Sequence, residues 1–317
     1  MTASTPLRPL GSTGLAVSRV TLGGAPLGSM PENFGHEVAE ADAIQLVREV
    51  LRSGIRTIDT SNGYSDGRSE ERIGKAIAAF GGLPDDVLVI TKTDRRDGDY
   101  SGERVRRSIG ESAERLGIRP LPLVHLHDPE FHDFDAMTAP GGAVDALVQA
   151  KERGDVTHIG LAGGNVRVMR RYLDLGVFEV LLVHNRWTLV DRSAGPLLDR
   201  AAELGVGIVN AAVLGGGILA DESGTKTDYG YRPASADTLS AIARMREVCR
   251  RWDTTLAAAA LRFSTRDERF ASTIVGISRP ERIQQTLDAA SLDRPQEFWE
   301  ELEALVPAPA SWLDADH

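Results

Sequence analysis

Residues 55–92, IRTIDTSNGYSDGRSEERIGKAIAAFGGLPDDVLVITK, contain the pattern from which the fold is predicted. Two short β-branched runs, Ile55–Asp59 and Val87–Lys92, flank an amphipathic stretch, Ser69–Phe80. This order is that of a strand, a helix and a second strand, and repeated units of this kind form a parallel sheet. The stretch therefore predicts a β/α protein whose strands run in the same direction.

The same unit recurs along the chain. Further strands are predicted at Val20–Gly23, Leu123–His127, Val156–Ala162, Val180–His184, Gly207–Ala211 and Ser272–Gly276. Further helices are predicted at Ala41–Ser53, Gly102–Leu116, Val144–Arg153, Ala194–Leu204 and Ser235–Trp252. Eight such strands, without a linker rich in Pro, Gly or Ser between them, predict one closed (β/α)₈ TIM barrel that spans residues 1–317 as a single domain.

Three segments lie outside this repeat. Arg8–Ser18 is predicted to be an N-terminal β-hairpin that closes the bottom of the barrel. A long insertion, Asp221–Pro233, has the length of a functional loop, and an extra helix is predicted at Leu256–Ser264 among extra C-terminal helices. A doubly wound sheet is the alternative fold, but Gly23–Gly28 lacks the Gly-x-Gly-x-x-Gly spacing of a dinucleotide-binding turn.

Composition excludes several classes of protein. The formal charge of −10 disfavours nucleic acid and an anionic membrane as partners, because both attract a basic surface. No apolar run approaches the roughly 20 residues of a membrane-spanning helix. Met1–Pro9 lacks the pattern of a secretory signal, so we expect a cytoplasmic protein. The single cysteine, Cys249, excludes an internal disulfide and a cysteine-rich zinc site.

Ionisable residues follow three successive predicted strands. Asp59 ends one strand and Tyr64 follows it, while Lys92 and His127 end the next two. The carboxyl ends of barrel strands form the active site, so these four side chains are expected to meet. The Lys92 ammonium would lower the pKa of Tyr64, and Asp59 would hold Lys92 in place. His127 would orient the reacting oxygen, and together the four residues predict a proton-transfer device.

Sequence motifs extend this pattern over nearly the whole chain. They are Arg8–Ser18 with Leu22–Gly24, Ile58–Tyr64 with Ser69–Glu70, Ile90–Lys92, Val124–Asp128, and Arg153–Gly154 with Ile159–Ala162. The chain thereby resembles the aldo-keto reductase family. The resemblance implies a catalytic tetrad of Asp59, Tyr64, Lys92 and His127. It also implies that Tyr64 is the general acid or base and that hydride passes directly to or from nicotinamide C4.

The resemblance further implies the residues that hold the cofactor. These are Gly24, Asn165, Leu214, Gly216, Gly276, Arg279, Arg282 and Gln285. Three positions depart from the family pattern: Gly164 replaces a serine, Leu182 a glutamine and Ala211 a ring-stacking aromatic residue. Trp187 is therefore a candidate contact of the nicotinamide.

The cofactor is expected to be NAD or NADP, with NAD favoured. Gly276 stands where NADP-preferring members have a lysine, and Gln285-Thr286 stand where they have Glu-Asn. Arg279 and Arg282, at the start of a predicted helix, keep a 2′-phosphate site open. No metal is expected.

Within the family, Asn210-Ala211-Ala212 and Gly217-Ile218-Leu219 are similar to the aldose 1-dehydrogenase branch. That branch includes L-fucose, L-galactose and D-threo-aldose dehydrogenases, and pyridoxal 4-dehydrogenase is close to it. The implied reaction oxidises the anomeric hydroxyl of a small sugar to a lactone. His184, Arg186 and Trp187 are the candidate substrate contacts. Sequence alone does not indicate the oligomeric state.

Several alternatives stay open at this point. The same tetrad would serve a pyridoxal 4-dehydrogenase or a general aldehyde and ketone reductase. A metal-dependent barrel hydrolase would use His125, His127, His158 and His184 as ligands, and metal analysis distinguishes it. A non-catalytic nucleotide-sensing subunit is the remaining alternative, since a fold does not establish catalysis, and a turnover assay distinguishes it.

Overall fold

The computed structural model describes residues 7–31, 35 and 37–314. Eight parallel strands close into a barrel, in which the last strand pairs with both the first and the seventh. In chain order the barrel strands are β3 (Val20–Gly23), β4 (Thr57–Asp59), β5 (Leu88–Thr93), β6 (Leu121–His127), β7 (Val156–Gly163), β8 (Val180–His184), β9 (Gly207–Ala211) and β12 (Ser272–Gly276). The predicted TIM barrel is therefore confirmed.

Helices cover the outside of the barrel. Their bounds are α1 (Glu40–Arg52), α2 (Arg68–Phe80), α3 (Gly102–Leu116), α4 (Phe134–Thr138), α5 (Ala143–Glu152), α6 (Val166–Leu173), α7 (Gly195–Glu203), α8 (Ala236–Arg251), α9 (Leu256–Arg266), α10 (Glu281–Ala290) and α11 (Gln296–Glu303). Each longer helix is amphipathic; α1, for example, buries Leu46, Val47 and Val50. Such apolar stripes pack on the outward side chains of the strands.

The interior of the barrel has an apolar lower part and a polar upper part. Alternate strand residues point inward, and Ile90, Leu123, Val180 and Val209 form one buried apolar cluster. Lys92 continues the inward series above Ile90, at the carboxyl end of its strand. The fold thus places polar groups above a packed floor.

The N-terminal hairpin lies beneath this floor. Its strands, β1 (Arg8–Pro9) and β2 (Ala16–Val17), pair antiparallel, and Leu10 and Val17 join the interior apolar cluster. Gly11 adopts φ +57°, and a Cβ there would overlap the backbone of Gly207. The predicted closure of the barrel bottom is confirmed by these contacts. Residues 1–6, part of the stretch that lacks a signal pattern, lie outside the described residues.

The long insertion after β9 is anchored to the mouth of the barrel. It contains a short hairpin, β10 (Asp228–Tyr229) and β11 (Arg232–Pro233). The buried Tyr229 hydroxyl donates to the Asn185 carbonyl oxygen at 2.7 Å, and the Gly230 amide donates to the Gly215 carbonyl oxygen at 3.3 Å. The insertion therefore borders the ends of β8 and β9.

The extra helices differ from the prediction in one respect. The Leu256–Arg266 helix packs against β12 and α10, which makes it the seventh helix of the barrel itself. Ala236–Arg251 is instead the inserted helix, and it packs against Gln296–Glu303 through a cluster that includes Met245 and Phe298. The two helical patterns follow each other closely, so periodicity alone did not show which one faces the barrel. No helix within the described ranges is long and apolar enough to cross a bilayer.

Candidate active site

The loop after β4 carries two of the four predicted catalytic residues. Asp59 ends the strand, and the chain turns at Thr60, whose amide donates to the Ile90 carbonyl oxygen at 2.8 Å. The Tyr64 amide donates to the Ser61 carbonyl oxygen at 3.2 Å. These backbone bonds fold the loop back over the barrel mouth and bring the Tyr64 ring above the strand ends.

Lys92 connects the Asp59 carboxylate to the Tyr64 hydroxyl. Its ammonium donates to Asp59 Oδ1 at 2.5 Å, to the Thr60 carbonyl oxygen at 2.7 Å and to the Tyr64 hydroxyl oxygen at 3.2 Å. All three of its protons therefore have a partner. Lys92 is 2% exposed and Asp59 is 3% exposed, so water does not screen the ion pair.

The charges in this chain of groups determine the pKa of each member. Burial alone would lower the pKa of Lys92, but Asp59 and Tyr64 outweigh burial and hold that pKa above its usual value. Burial raises the pKa of Tyr64, and Lys92 only partly opposes this rise. The expected effect of Lys92 on the Tyr64 pKa has the right direction, but burial outweighs it and the net pKa is raised. Tyr64 carries its proton, which suits a proton donor.

His127 lies on the other side of Tyr64. The two rings meet edge to face, with 5.8 Å between their centroids. The His127 amide donates to the Tyr100 hydroxyl oxygen at 2.9 Å, and that hydroxyl donates to the Thr93 carbonyl oxygen at 2.7 Å. The structure therefore brings Asp59, Tyr64, Lys92 and His127 together at one end of the barrel.

Two carboxylates beside His127 were not predicted as site residues. Asp94 Oδ1 lies 2.7 Å from His127 Nδ1. Asp128 Oδ1 accepts a hydrogen bond from His184 Nε2 at 3.3 Å. Asp94 could have been found from the sequence, because it lies two residues beyond Lys92 and alternate residues share one side of a strand. Asp128 adopts φ +44° in a tight turn, so alternation gives no such signal there.

The rim beside β7 and β8 holds the predicted substrate residues His184 and Arg186. Arg186 Nε lies 3.3 Å from Asp314 Oδ2, in the C-terminal segment. A Cβ added at Gly164 would overlap the Arg186 guanidinium and approach the His184 ring. The guanidinium therefore fills the space that a serine side chain at position 164 would need, which explains the glycine there.

The structure places two residues named from the sequence, Leu182 on β8 and Trp187 three residues after the end of that strand. Leu182 belongs to the apolar interior of the barrel, so the polar side chain that β8 presents at the mouth is that of His184, two residues later. The Trp187 ring stacks on Phe263 of α9, with 6.1 Å between centroids, and lies against Arg269. Trp187 thus packs between elements on the outside of the barrel, which favours a packing role over contact with nicotinamide.

The histidines that a hydrolase would need are not brought together. His158 lies near the start of β7, and its Nδ1 is 2.9 Å from Glu179 Oε1. His127 and His184 lie at the carboxyl ends of their strands, the opposite end of the barrel. Burial also holds the pKa of His125 well below its usual value, beneath the tetrad and beside Lys92. This arrangement does not match the ligand set that the sequence suggested.

Comparison with known proteins agrees with this geometry. The model of the Aldo/keto reductase family matches residues 19–307.

The chain belongs to the aldo/keto reductase family.

Among curated relatives, it is 34% identical to L-galactose dehydrogenase of Arabidopsis thaliana, over 95% of this chain and 94% of the other. It is 31% identical to D-threo-aldose 1-dehydrogenase of a Pseudomonas species, over 94% of this chain and 97% of the other. It is 30% identical to pyridoxal 4-dehydrogenase of Microbacterium luteolum, over 92% of this chain and 95% of the other. An aldo-keto reductase structure from Bacillus halodurans covers 99% of this chain and 100% of its own, with a TM-score of 0.78 and 20% identity, and supports the fold.

Aldo-keto reductases use a nicotinamide dinucleotide, and the mouth of this barrel has features that fit one. Gly24 has no room for a side chain, since a Cβ there would lie 2.8 Å from the Asp59 carbonyl oxygen. Gly215, Gly216 and Gly217 all have positive φ, so this loop turns tightly and exposes backbone. A hydrogen bond from the Gly217 amide to the Leu214 carbonyl oxygen, 2.9 Å long, closes this turn.

A second set of fitting residues follows β12. Gly276, Arg279, Arg282 and Gln285 are all exposed, and within the described ranges neither arginine has an ion-pair partner. Exposed cations at the start of a helix suit a phosphate group. On the other rim, Asn165 Oδ1 accepts the Val168 amide at 3.0 Å, which leaves its NH₂ group to bind a carboxamide.

Proposed function

We propose that this chain is an NAD-dependent aldose 1-dehydrogenase that oxidises the anomeric hydroxyl of a small sugar to a lactone. The observation that carries the proposal is the hydrogen bond between the Lys92 ammonium and the Tyr64 hydroxyl, 3.2 Å long, at the barrel mouth. The two aldose dehydrogenases at 34% and 31% identity support the choice of substrate class.

The bound nicotinamide supplies one function, the acceptance of hydride from the anomeric carbon. The protein supplies the proton path. Tyr64, as the phenolate, takes the proton of the anomeric hydroxyl while the C=O bond of the lactone forms. Lys92 stabilises the phenolate, and Asp59 keeps the ammonium in place. In the reverse direction Tyr64 returns the proton to the oxygen, the role that its raised pKa favours.

We further propose that Gly24, Asn165, Leu214 and Gly216 contact the nicotinamide and pyrophosphate, and that Gly276, Arg279, Arg282 and Gln285 surround the adenosine end. NAD is favoured because Gly276 offers no charge to a 2′-phosphate. In addition, the Thr286 hydroxyl is already used, since it donates to the Arg282 carbonyl oxygen at 2.7 Å. His184 and Arg186, with Asp128 between the strand ends, are the proposed substrate contacts.

Absorbance of the reduced nicotinamide tests the proposal. Purified protein is supplied with NAD or NADP and a panel of aldoses, with pyridoxal and simple aldehydes as comparison substrates. We expect turnover of one class of aldose with NAD, and loss of at least about a hundredfold in Tyr64→Phe, the range for removal of a general acid or base.

Tyr172→Phe is the matched control. Tyr172 is buried on α6, and its hydroxyl has no partner among the described residues, so removing that oxygen leaves the site intact. Turnover of pyridoxal or aldehydes instead of aldoses would replace the proposed substrate class. Equal activity in Tyr64→Phe and Tyr172→Phe would contradict the role of Tyr64.

A further inference from the structure

Asp94 carries a carboxylate beside the site, and the proton path through Tyr64 does not use that carboxylate. It follows the last residue of β5, two positions beyond Lys92. Its contacts run in two directions. Oδ1 lies 2.7 Å from His127 Nδ1, while Oδ2 accepts the Gly63 amide at 2.7 Å and the Ser61 hydroxyl.

The Asp94 side chain therefore joins the loop that carries Tyr64 to the ring of His127. The fit is close, because a Cβ added at Gly63 would lie 2.8 Å from Asp94 Cγ. With Nδ1 bound to the carboxylate, Nε2 is the ring nitrogen that has no hydrogen bond among the described residues and remains for a reacting oxygen; its nearest charge is Asp128 Oδ2, at 3.8 Å. Asp94 consequently determines both the orientation of the His127 ring and which nitrogen faces the substrate.

The carboxylates around His127 favour its protonated form. Burial alone would lower the pKa of His127, but Asp94 and Asp128 together outweigh burial and raise that pKa to about 9. Asp128 adds to the rise from 3.8 Å, and Lys92 opposes it. The ionisable groups that face His127 are Asp94, Asp128, Lys92, Asp59, Tyr64 and His125.

We propose that Asp94 is a positioning residue that keeps His127 an imidazolium, with its Nε2–H directed at the reacting oxygen. The part of this inference that concerns catalysis rests on the proposed function. A cationic donor stabilises negative charge that develops on the oxygen as the proton moves to or from Tyr64. His127 then holds its proton throughout, and Tyr64 alone exchanges one.

The charge state can be measured without turnover. In protein labelled with ¹⁵N at the imidazole nitrogens, His127 is assigned among the seven histidines by its absence in His127→Gln. We expect its titration in ligand-free wild type near 9, and a fall of roughly two units in Asp94→Asn, the usual effect of one adjacent opposite charge. Asp128→Asn should produce a smaller fall, because that carboxylate is more distant.

Wild-type titration of His127 at or below its ordinary value, near 6.5, would overturn the proposal. So would an unchanged value in a folded Asp94→Asn protein. If Asp94→Asn does not fold, the wild-type titration decides the question alone. Neither result depends on an active enzyme, so failure of this inference is distinguishable from failure of the proposed function.

The pH dependence of kcat/KM then tests the catalytic part. The ratio of Asp94→Asn to wild-type activity should be nearly constant below the His127 pKa of the variant. Above it, the ratio should fall about tenfold per pH unit until the wild-type pKa is reached. A merely structural role for Asp94 predicts a ratio that does not change with pH, and that result would refute the proposed role.

Discussion

Replacement of Lys92 by methionine would show how much its buried ammonium contributes to stability and how much it contributes to catalysis. The substitution keeps most of the side-chain volume and removes three hydrogen bonds, to Asp59, Thr60 and Tyr64. Asp59 Oδ2 already has no partner among the described residues, so the variant leaves both carboxylate oxygens unpaired. At 3% exposure, water cannot replace the lost partner.

The magnitude follows from this burial. Removing one partner of a buried ion pair costs about 3–5 kcal/mol, because the other charge remains unpaired. The free energy of unfolding of Lys92→Met, measured by chemical denaturation, should fall by that amount at pH 8. Loss of a tuned acid–base group should also reduce kcat by about a hundredfold or more.

The loss of stability should depend on pH. Burial already raises the pKa of Asp59, and loss of Lys92 removes its main opponent. A carboxyl whose folded pKa lies above its unfolded value stabilises the fold at low pH and loses that contribution as pH rises through the folded pKa. Lys92→Met should therefore be closer to wild type in stability at pH 5 than at pH 8.

The double variant Asp59→Asn/Lys92→Met provides the control. Without either charge, most of the lost stability should return, while activity should not. A Lys92→Met protein with kcat within a factor of ten of wild type would refute the role of the ammonium. Equal instability of the single and double variants would refute the reasoning from an unpaired buried charge.

Three further predictions concern the rim and the base of the barrel. Asp314→Asn should release Arg186, the proposed substrate contact, and raise KM several-fold with little change in kcat. Steady-state kinetics on the preferred aldose measures both constants. An unchanged KM would argue against substrate contact by Arg186. Arg282→Ala should weaken NADP binding, measured by fluorescence quenching, more than NAD binding, and an equal loss for both would exclude a 2′-phosphate contact. Gly14→Ala should lower the free energy of unfolding by roughly 1–2 kcal/mol, the cost of left-handed strain. Gly11→Ala should lower it by more, because of the two positions only 11 would also place its Cβ against the backbone of Gly207. Equal losses in chemical denaturation would contradict the close packing of the hairpin.

The barrel could be predicted because its signals are local. Strand and helix periodicity, with turn residues between them, determined the eight strands, and Val20–Gly23 and Ser272–Gly276 agree with the structure at both ends. The identity of the inserted helix could not be predicted in this way. It depends on whether Ala236–Arg251 or Leu256–Arg266 packs on the strands, which is decided by long-range contact and not by pattern.

The catalytic tetrad could be predicted from the sequence for a related reason. All four residues end or follow neighbouring strands, and closure of the barrel brings such ends together. Asp94 was not among the predicted site residues because it lies beyond the predicted end of its strand at Lys92, although alternate residues continue on the same side past that end. The effect of Lys92 on the pKa of Tyr64 was predicted in the right direction, but the net rise was not, because it depends on how completely the loop buries the hydroxyl.

Rim residues were the least predictable. Trp187 and His184 are three positions apart, yet one packs on Phe263 outside the barrel and the other faces the mouth. The chain leaves β8 at His184 and turns at Asn185, which has φ +61°. Beyond that turn the strand period no longer applies, so the direction of a side chain cannot be read from its position.

The most direct test of the central claim is to follow the hydrogen of the anomeric carbon. An aldose deuterated at that carbon is incubated with the enzyme and NAD, and the reduced cofactor and the sugar product are analysed by mass spectrometry and NMR. Direct hydride transfer predicts one deuterium at nicotinamide C4 and a lactone that lacks it, with neither formed by Tyr64→Phe. A reduced cofactor without deuterium, or a sugar that keeps its label, would contradict the account.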